Sequence, residues 1–285
     1  MSSETFTKHG NTREISAEAA GLAELGSAAK AGGAPVVKLL KTGTDSLQTA
    51  QLETARPSAS AAEDFGRRLA HTHAFSESGS RVFGQAPAGL DANTGAMGKA
   101  PLPLVAPGSP PRPWGQFYAD DRILPYLQTA RENGAINADG ARTIERVCER
   151  LKDGDFDAHQ PALVETDAAL LHGDLWSGNI LWATPESAAE AAEGTTDHVN
   201  PHDSIGVLID PACQGGHAES DLAQLTVFNA PFTDRIYAAY NEASPLADGW
   251  QDRVGLHTLH ILIIHAALFG GGYGRETVDV ARMYG

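Results

Sequence analysis

The residues best suited to chemistry lie in one stretch, 170–182, and in the short run 207–211 that follows it. Asp174 stands five residues before Asn179 on a glycine-flanked loop that leads into an apolar strand, and Asp210 ends a second apolar strand. In phosphoryl transfer, an Asp accepts the proton of the attacking hydroxyl, and an Asn and a strand-end Asp bind the magnesium ions of ATP. The pattern therefore predicts that Asp174 is a catalytic base and that Asn179 and Asp210 are metal ligands.

An ordinary turn would explain His-Gly-Asp equally well if the tripeptide stood alone, because Gly and Asp are common in turns for reasons of backbone geometry. Here an apolar strand precedes the tripeptide, Asn179 follows at the required spacing, and a second apolar strand ends in Asp-Pro at 210–211. That combination is much harder to obtain by chance. We therefore favour the catalytic interpretation over the structural turn.

Several runs of the sequence together resemble the fructosamine (ketosamine) kinase family: 172–179 with Trp176 inside it, 209–211, 218–223 and 268–273. That family belongs to the aminoglycoside-phosphotransferase-like kinases. The resemblance is strong from about Trp114 to the C-terminus and patchy before it. It implies an α+β, two-lobed protein-kinase-like fold with a small β lobe at the N-terminus and a mainly helical C-terminal lobe.

The resemblance also implies an activity, the ATP-dependent phosphorylation of a sugar hydroxyl of a ketosamine, the 3-hydroxyl in this family, with Mg²⁺ as cofactor. It implies that Lys8 holds the nucleotide phosphates and pairs with Glu18 on the next helix. On the acceptor side, it implies that Trp176 walls the pocket and that His217 and Glu219 face the substrate. The last two residues would serve equally well as hydrogen-bond partners that fix their own loop.

The N-terminal lobe is expected to be incomplete. Only seven residues precede Lys8 and none is glycine, whereas a two-stranded hairpin needs about ten residues. We therefore expect no Gly-rich loop over the ATP phosphates and ATP binding that is millimolar at best. We divide the chain into a truncated nucleotide lobe at 1–53, with a hinge near Glu53, and a catalytic lobe at 54–285. The latter contains an acidic insertion at 184–204, which we expect to be partly helical or disordered and to carry no chemistry.

Hydrophobic periodicity predicts the elements that must position these residues. The predicted helices cover residues 15–25, 59–75, 114–131, 138–152, 222–229 and 250–269. The predicted strands cover residues 36–40, 47–52, 180–182 and 205–209, and residues 84–113 form a long surface loop. The catalytic loop then lies between two apolar strands of the C-terminal lobe.

Composition excludes several classes of protein. A formal charge of −15 repels nucleic acid phosphates and weakly favours a cationic substrate. The longest apolar run, 256–269, is interrupted by histidines and is shorter than the roughly 20 residues that span a bilayer, so we expect no membrane span. The N-terminus shows no secretory signal, and a cytoplasmic location is expected. Two cysteines make a disulfide framework improbable.

Two other functions stay open. The acceptor could be an aminoglycoside, choline or another amino alcohol, because the catalytic pattern is shared by the whole superfamily. Alternatively, the chain could be an inactive, truncated kinase-like protein that only binds a ligand or partner. The sequence also leaves open whether a ketosamine acceptor is free or protein-bound. Metal binding by the histidines of helices 59–75 and 250–269 is less favoured than packing in the core.

Overall fold

The computed structural model describes residues 4–194 and 203–285 of the chain. The strands are β1 (Thr5–His9), β2 (Val36–Val37), β3 (Leu39–Thr42), β4 (Ser46–Ala50), β5 (Ala96–Met97), β6 (Ala100–Pro101), β7 (Ala169–Leu171), β8 (Ile180–Ala183), β9 (Ala192–Glu193), β10 (Ile205–Leu208) and β11 (Gln214–Gly216). The helices are α1 (Thr12–Lys30), α2 (Ala59–Ala74), α3 (Trp114–Phe117), α4 (Leu124–Glu132), α5 (Ala138–Lys152), α6 (Pro185–Ala191), α7 (Ala218–Val227), α8 (Thr233–Ala243), α9 (Trp250–Phe269) and α10 (Gly272–Ala281). Small sheets and many helices confirm the predicted α+β class.

The first sheet is antiparallel, with strand order β1-β4-β3, and α1 packs against it. Helix α1 begins at a capping box, in which the Asn11 side chain accepts from the Glu14 N–H and the Glu14 carboxylate accepts from the Asn11 N–H. Such reciprocal hydrogen bonds satisfy amides that a helix start otherwise leaves free. The cap begins the helix three residues before the predicted start at Ile15. Helix α1 thereby holds Glu18 behind the strand that carries Lys8.

The chain changes sheets at Lys38, which divides the strand predicted at 36–40. The Lys38 N–H donates to the Ala191 carbonyl, whereas its own carbonyl accepts from the Ala50 N–H in the first sheet. Strand β2 thus joins a second sheet of order β8-β10-β2-β9, in which Leu208 pairs with both Ile180 and Val36. Strand β8, which follows Asn179, and strand β10, which precedes Asp210, are therefore held in one sheet with the N-terminal strand β2.

The predicted insertion at 184–204 begins as a short helix and a strand. The Thr184 side chain caps α6, and Glu193 of β9 pairs with Val36 of β2. Residues 195–202 of this insertion lie outside the described part of the chain. At its start, the Thr184 N–H donates to the Glu53 carbonyl, and Thr54 forms a bridge with Ala183. The segment predicted as the hinge is thus tied to the end of β8.

The helical part is centred on α9, which is buried along residues 256–264. The helix predicted at 114–131 is α3 and α4 joined by a π-helical turn, Tyr118–Ile123. The turn follows from tertiary contacts, since the Tyr118 hydroxyl reaches the Leu256 and His257 carbonyls of α9. Helix α7 starts earlier than predicted because the His217 side chain caps it. No helix in the described ranges has the length and apolar character needed to cross a bilayer.

Candidate active site

The loop that carries Asp174 is held from beneath by one carboxylate. The His172 N–H and the Gly173 N–H donate to the two oxygens of the Asp221 carboxylate, at 2.7 and 2.9 Å. Gly173 has a φ of 84°, and a Cβ there would lie 2.0 Å from the Ala212 carbonyl oxygen. A side chain at this position is therefore excluded both by conformation and by space. Asp221 therefore braces the loop that carries Asp174.

Gln224 fixes the backbone on both sides of Asp174. Its Oε1 accepts from the Leu175 N–H at 2.6 Å, and its Nε2 donates to the Gly173 carbonyl at 3.2 Å. The side chain is buried, so both hydrogen bonds are shielded from water. The sequence interpretation missed this residue, although it lies three positions after Asp221 on α7 and hence on the same helix face.

Asp174 is a half-buried carboxylate held towards the predicted metal ligand. The Asn179 Nδ2 donates to the Asp174 carbonyl at 2.8 Å and to its Oδ2 at 3.0 Å. Burial raises the pKa of Asp174 to about 7, and the nearby Asp210 charge adds to the shift while the Asn179 hydrogen bond opposes it. A base whose pKa lies near neutrality suits proton abstraction at neutral pH. His172 is neutral because burial lowers its pKa.

Lys8 bridges the two lobes through two carboxylates. Its Nζ lies 2.7 Å from Glu18 Oε2 and 3.1 Å from Asp210 Oδ2. Burial tends to lower the pKa of Lys8, but the two carboxylates outweigh this effect and raise it, so the ammonium stays charged. Asp210 adopts a left-handed conformation with a φ of 52°, which is uncommon for a residue with a side chain. The strained backbone turns this carboxylate towards Lys8.

Two adjoining cavities meet at Glu18 and Asp210. The first has a volume of about 320 Å³ and a largely apolar lining that sequence reasoning did not identify: Phe6, Leu22, Val37, Leu47, Thr49, Ala50, Gln51, Leu52, Leu181 and Ile209. The second, of about 380 Å³, is more polar than the first, and we call it the cleft. Besides the two shared acids, it is lined by Lys8, His9, Glu14, Ala96, Gly98, Lys99, Asp174, Trp176, Asn179, Pro211 and Ala212.

Six of the eight predicted site residues line the cleft together: Lys8, Glu18, Asp174, Trp176, Asn179 and Asp210. His217 and Glu219 do not line it, because both are buried against α9. Glu219 binds Arg253 through both carboxylate oxygens, at 2.6 and 2.9 Å, and lies 3.3 Å from His257 Nε2. These contacts correspond to the loop-fixing alternative for the two residues, whereas no contact in the cleft supports their predicted substrate role.

The buried cluster around Glu219 is a poor metal site. Ligand atoms of His217, Glu219 and His257 lie within 4.8 Å of one another. However, His217 accepts from the Glu219 N–H and donates to a carbonyl, while Arg253 occupies the Glu219 carboxylate. Burial lowers the pKa of His217 to about 3. Burial alone would raise the pKa of Glu219, but hydrogen bonds from His257 and Arg253 outweigh it and lower this pKa to about 2.

Glu219→Gln is therefore expected to destabilise the fold. The change leaves the largely buried Arg253 side chain, 14% exposed, without its anion, which costs about 3 kcal/mol. Because the pKa of Glu219 is lowered on folding, its contribution is present above about pH 4.5 and is lost as the pH falls towards 2. Urea denaturation at pH 7 measures the loss. Asp279→Asn, which breaks an exposed pair with Arg282, should cost less than about 0.5 kcal/mol, and equal losses would contradict a structural role for Glu219.

An aromatic row leads outward from Trp176. The ring centroids of Trp176 and Phe228 are 5.5 Å apart, and His265 follows at 5.4 Å from Phe228. His265 in turn lies 5.5 Å from Phe269 and 5.0 Å from Tyr273. Phe269 is 69% exposed. The sequence run 268–273 that carried the family resemblance thus packs, through His265, beside the cleft.

Comparison with known proteins identifies the family. The family model described as fructosamine kinase matches residues 5–283. The chain belongs to the fructosamine kinase family. A probable ketoamine kinase of Klebsiella aerogenes is 32% identical over 206 residues, which cover 72% of this chain and 57% of that protein. A probable ketoamine kinase of Lactiplantibacillus plantarum is 33% identical over 171 residues, covering 60% of this chain and 52% of the relative. The chain spans about half the length of these curated relatives.

Solved structures agree with this family assignment. A protein described as a fructosamine-3-kinase from Thermobifida fusca YX-ER1 superposes with a TM-score of 0.77 and 36% identity, covering 98% of this chain and 85% of that one. The ADP-bound aminoglycoside phosphotransferase APH(2'')-Ib shares the fold alone, with a TM-score of 0.56 and 11% identity over 98% of this chain and 88% of its own. The protein-kinase-like fold predicted from the sequence is confirmed.

Proposed function

We propose that this member of the fructosamine kinase family transfers the γ-phosphoryl group of ATP to a sugar hydroxyl of a ketosamine, the 3-hydroxyl. The observation that carries the proposal is the convergence of Lys8, Asp174, Asn179 and Asp210 in one cleft that adjoins an apolar pocket. Family membership supports the same reaction class.

The apolar pocket fits the adenine of ATP. Both parts of the chain line it, with Leu47 and residues 50–52 from the N-terminal part and Leu181 from the catalytic part. On this proposal, the nucleotide lies between residues 1–53 and residues 54–285, both of which contribute to the lining. In the adjoining cleft, Lys8 would hold the phosphates as a point charge. Because ATP is a cytoplasmic metabolite, we also propose a cytoplasmic location.

The donor set at the cleft suits Mg²⁺. Asn179 uses its Nδ2 to hold Asp174, which leaves its carbonyl oxygen as a ligand, and the Asp210 side chain is 41% exposed to the cleft. Magnesium prefers such oxygen ligands. Asp174 and Asp210 also repel each other, and a nearby cation would relieve this repulsion. Asn179 and Asp210 would hold the ion, which when bound supplies positive charge to the phosphates.

The remaining steps belong to residues of this chain. Asp174 accepts the proton of the sugar hydroxyl, and Asn179 and Gln224 keep that carboxylate and its loop in place. Trp176 presents an apolar surface beside the acceptor, where a sugar ring can pack. Positioning and charge stabilisation account for most of the catalysis in this reaction class.

An acceptor panel tests the proposed function. ADP release is measured with millimolar ATP and MgCl₂ in the presence of a fructosamine, an aminoglycoside or choline. We expect release with the fructosamine, which stops when Mg²⁺ is chelated. Faster release with an aminoglycoside or choline would identify a different acceptor class. No release with any acceptor would favour the binding-protein alternative.

A further inference from the structure

A two-residue hairpin turn places Lys99 in the lining of the cleft. Met97 of β5 pairs with Ala100 of β6, so Gly98 and Lys99 form the two-residue turn between them. Gly98 has a φ of 54°, a conformation that glycine adopts without strain. The Arg13 Nη2 donates to the Lys99 carbonyl at 3.4 Å, which links the turn to the start of α1. The backbone of Lys99 is thus fixed at the edge of the cleft.

Of the two lysines among the described residues that line the cleft, Lys99 is the one whose ammonium is not paired with a carboxylate. The other ammonium that lines the cleft, that of Lys8, is already paired with Glu18 and Asp210. Within residues 4–194 and 203–285, the structure shows no ion pair or hydrogen bond of the Lys99 ammonium. The remaining carboxylates that line the cleft have hydrogen-bond partners of their own: Glu14 caps α1, and Asp174 accepts from Asn179. A ligand with an anionic group would pair with the Lys99 ammonium.

We propose that Lys99 binds the α-carboxylate of the acceptor, so that the cleft selects ketosamines formed from free α-amino acids. This inference rests on the proposed kinase function. In such a ketosamine the carboxylate is attached to the carbon next to the amine nitrogen, close to the sugar. A ketosamine on the side chain of a protein lysine has no carboxylate at that place.

The location of Lys99 favours the acceptor over the nucleotide as its ligand. Lys99 lines the same cavity as Asp174 and Trp176, whereas it does not line the apolar pocket. Lys8 is paired with Glu18 and Asp210, the two residues that line both cavities, and this is where the phosphates would enter. An ammonium binds carboxylate and phosphate by the same charge, so the experiment must separate the two sources.

Two acceptors that differ only in this charge provide the test: fructosyl-glycine and fructosyl-glycinamide. At saturating ATP, the unmodified protein should prefer the carboxylate about tenfold in kcat/KM, the scale of one charge-assisted contact. Lys99→Met should remove this preference by raising KM for fructosyl-glycine, with the amide and the KM for ATP unchanged. Lys99→Glu should reverse the preference. Lys41→Met, which removes an exposed lysine of β3, should change nothing.

Two results would overturn the inference. An equal loss on both acceptors with a raised KM for ATP would assign Lys99 to the nucleotide, and an unchanged preference would show that it takes no part. Phosphorylation of fructosyl-glycinamide by the unmodified protein supports the kinase function independently of Lys99. If neither ketosamine is phosphorylated, the proposed function and this inference fail together.

Discussion

Asp174→Asn should lower turnover on a ketosamine by at least about a hundredfold, the scale expected for loss of a general base. The amide keeps the shape of the side chain and can still accept from Asn179 Nδ2, but it cannot take the proton of the sugar hydroxyl. Because burial already disfavours the charged form of Asp174, a neutral amide should not weaken the fold. The loss should therefore lie in kcat, with nucleotide binding near that of the unmodified protein.

Steady-state kinetics and calorimetry with ATP and MgCl₂ measure the two quantities separately. Asp153→Asn is a matched control, since Asp153 is exposed just beyond the end of α5 and lines neither the cleft nor the apolar pocket. The control should keep full turnover. Normal turnover in Asp174→Asn would show that another group, or no group, accepts the proton.

Asp210→Ala should remove most of the magnesium dependence of ATP binding. The change deletes a carboxylate ligand of the kind that a hard cation prefers, while Lys8 keeps its contact with Glu18 at 2.7 Å. We expect ATP affinity in the presence of Mg²⁺ to fall by more than about tenfold, the effect of losing one charged contact. Affinity measured with EDTA should change little.

Titration calorimetry at two metal concentrations gives both values, and Asp153→Ala serves as the matched control. The informative quantity is the ratio of affinities with and without Mg²⁺. A ratio in Asp210→Ala as large as in the unmodified protein would exclude Asp210 as a ligand of the nucleotide-bound metal.

The sequence predicted best what is encoded locally. Asp174 and Asn179 both lie in the single loop between β7 and β8, so their spacing alone predicts that the two side chains are close together. Helices α5 and α9 follow from their apolar patterns and have the bounds predicted for them. Their patterns suffice because the apolar residues that define them also pack in the core. The roles of the site residues remain predictions, although six of them share the cleft.

What the sequence could not give depends on contacts between distant elements. The apolar pocket combines side chains from β1, α1, β2 and β4 with Leu181 of β8 and Ile209 after β10. No local sequence pattern predicts that these residues meet. His217 and Glu219 were expected at the acceptor because the family resemblance implies that position. The pairing of β11 with β7 redirects the chain, and α9 supplies Arg253 and His257 as their neighbours. The buried position of His217 and Glu219 becomes evident only when the packing of α9 is known.

The π-helical turn has the same origin. Apolar periodicity between residues 114 and 131 predicts one regular helix, and the extra residue of the turn appears only where Tyr118 is bound by α9. The position of Gln224 was in principle accessible, because it shares a face of α7 with Asp221. Its two hydrogen bonds around Asp174, however, require the loop to be in place first.

The most direct test of the central claim is the position of the phosphate in the product. The protein is incubated with ATP, MgCl₂ and fructosyl-glycinamide, and the product is examined by two-dimensional ¹H–³¹P correlation NMR. The proposed function requires a new phosphorus signal that correlates with the proton on carbon 3 of the sugar and that is absent when Asp174→Asn replaces the unmodified protein. A phosphate on another hydroxyl, or a sugar that carries no phosphate, would contradict it.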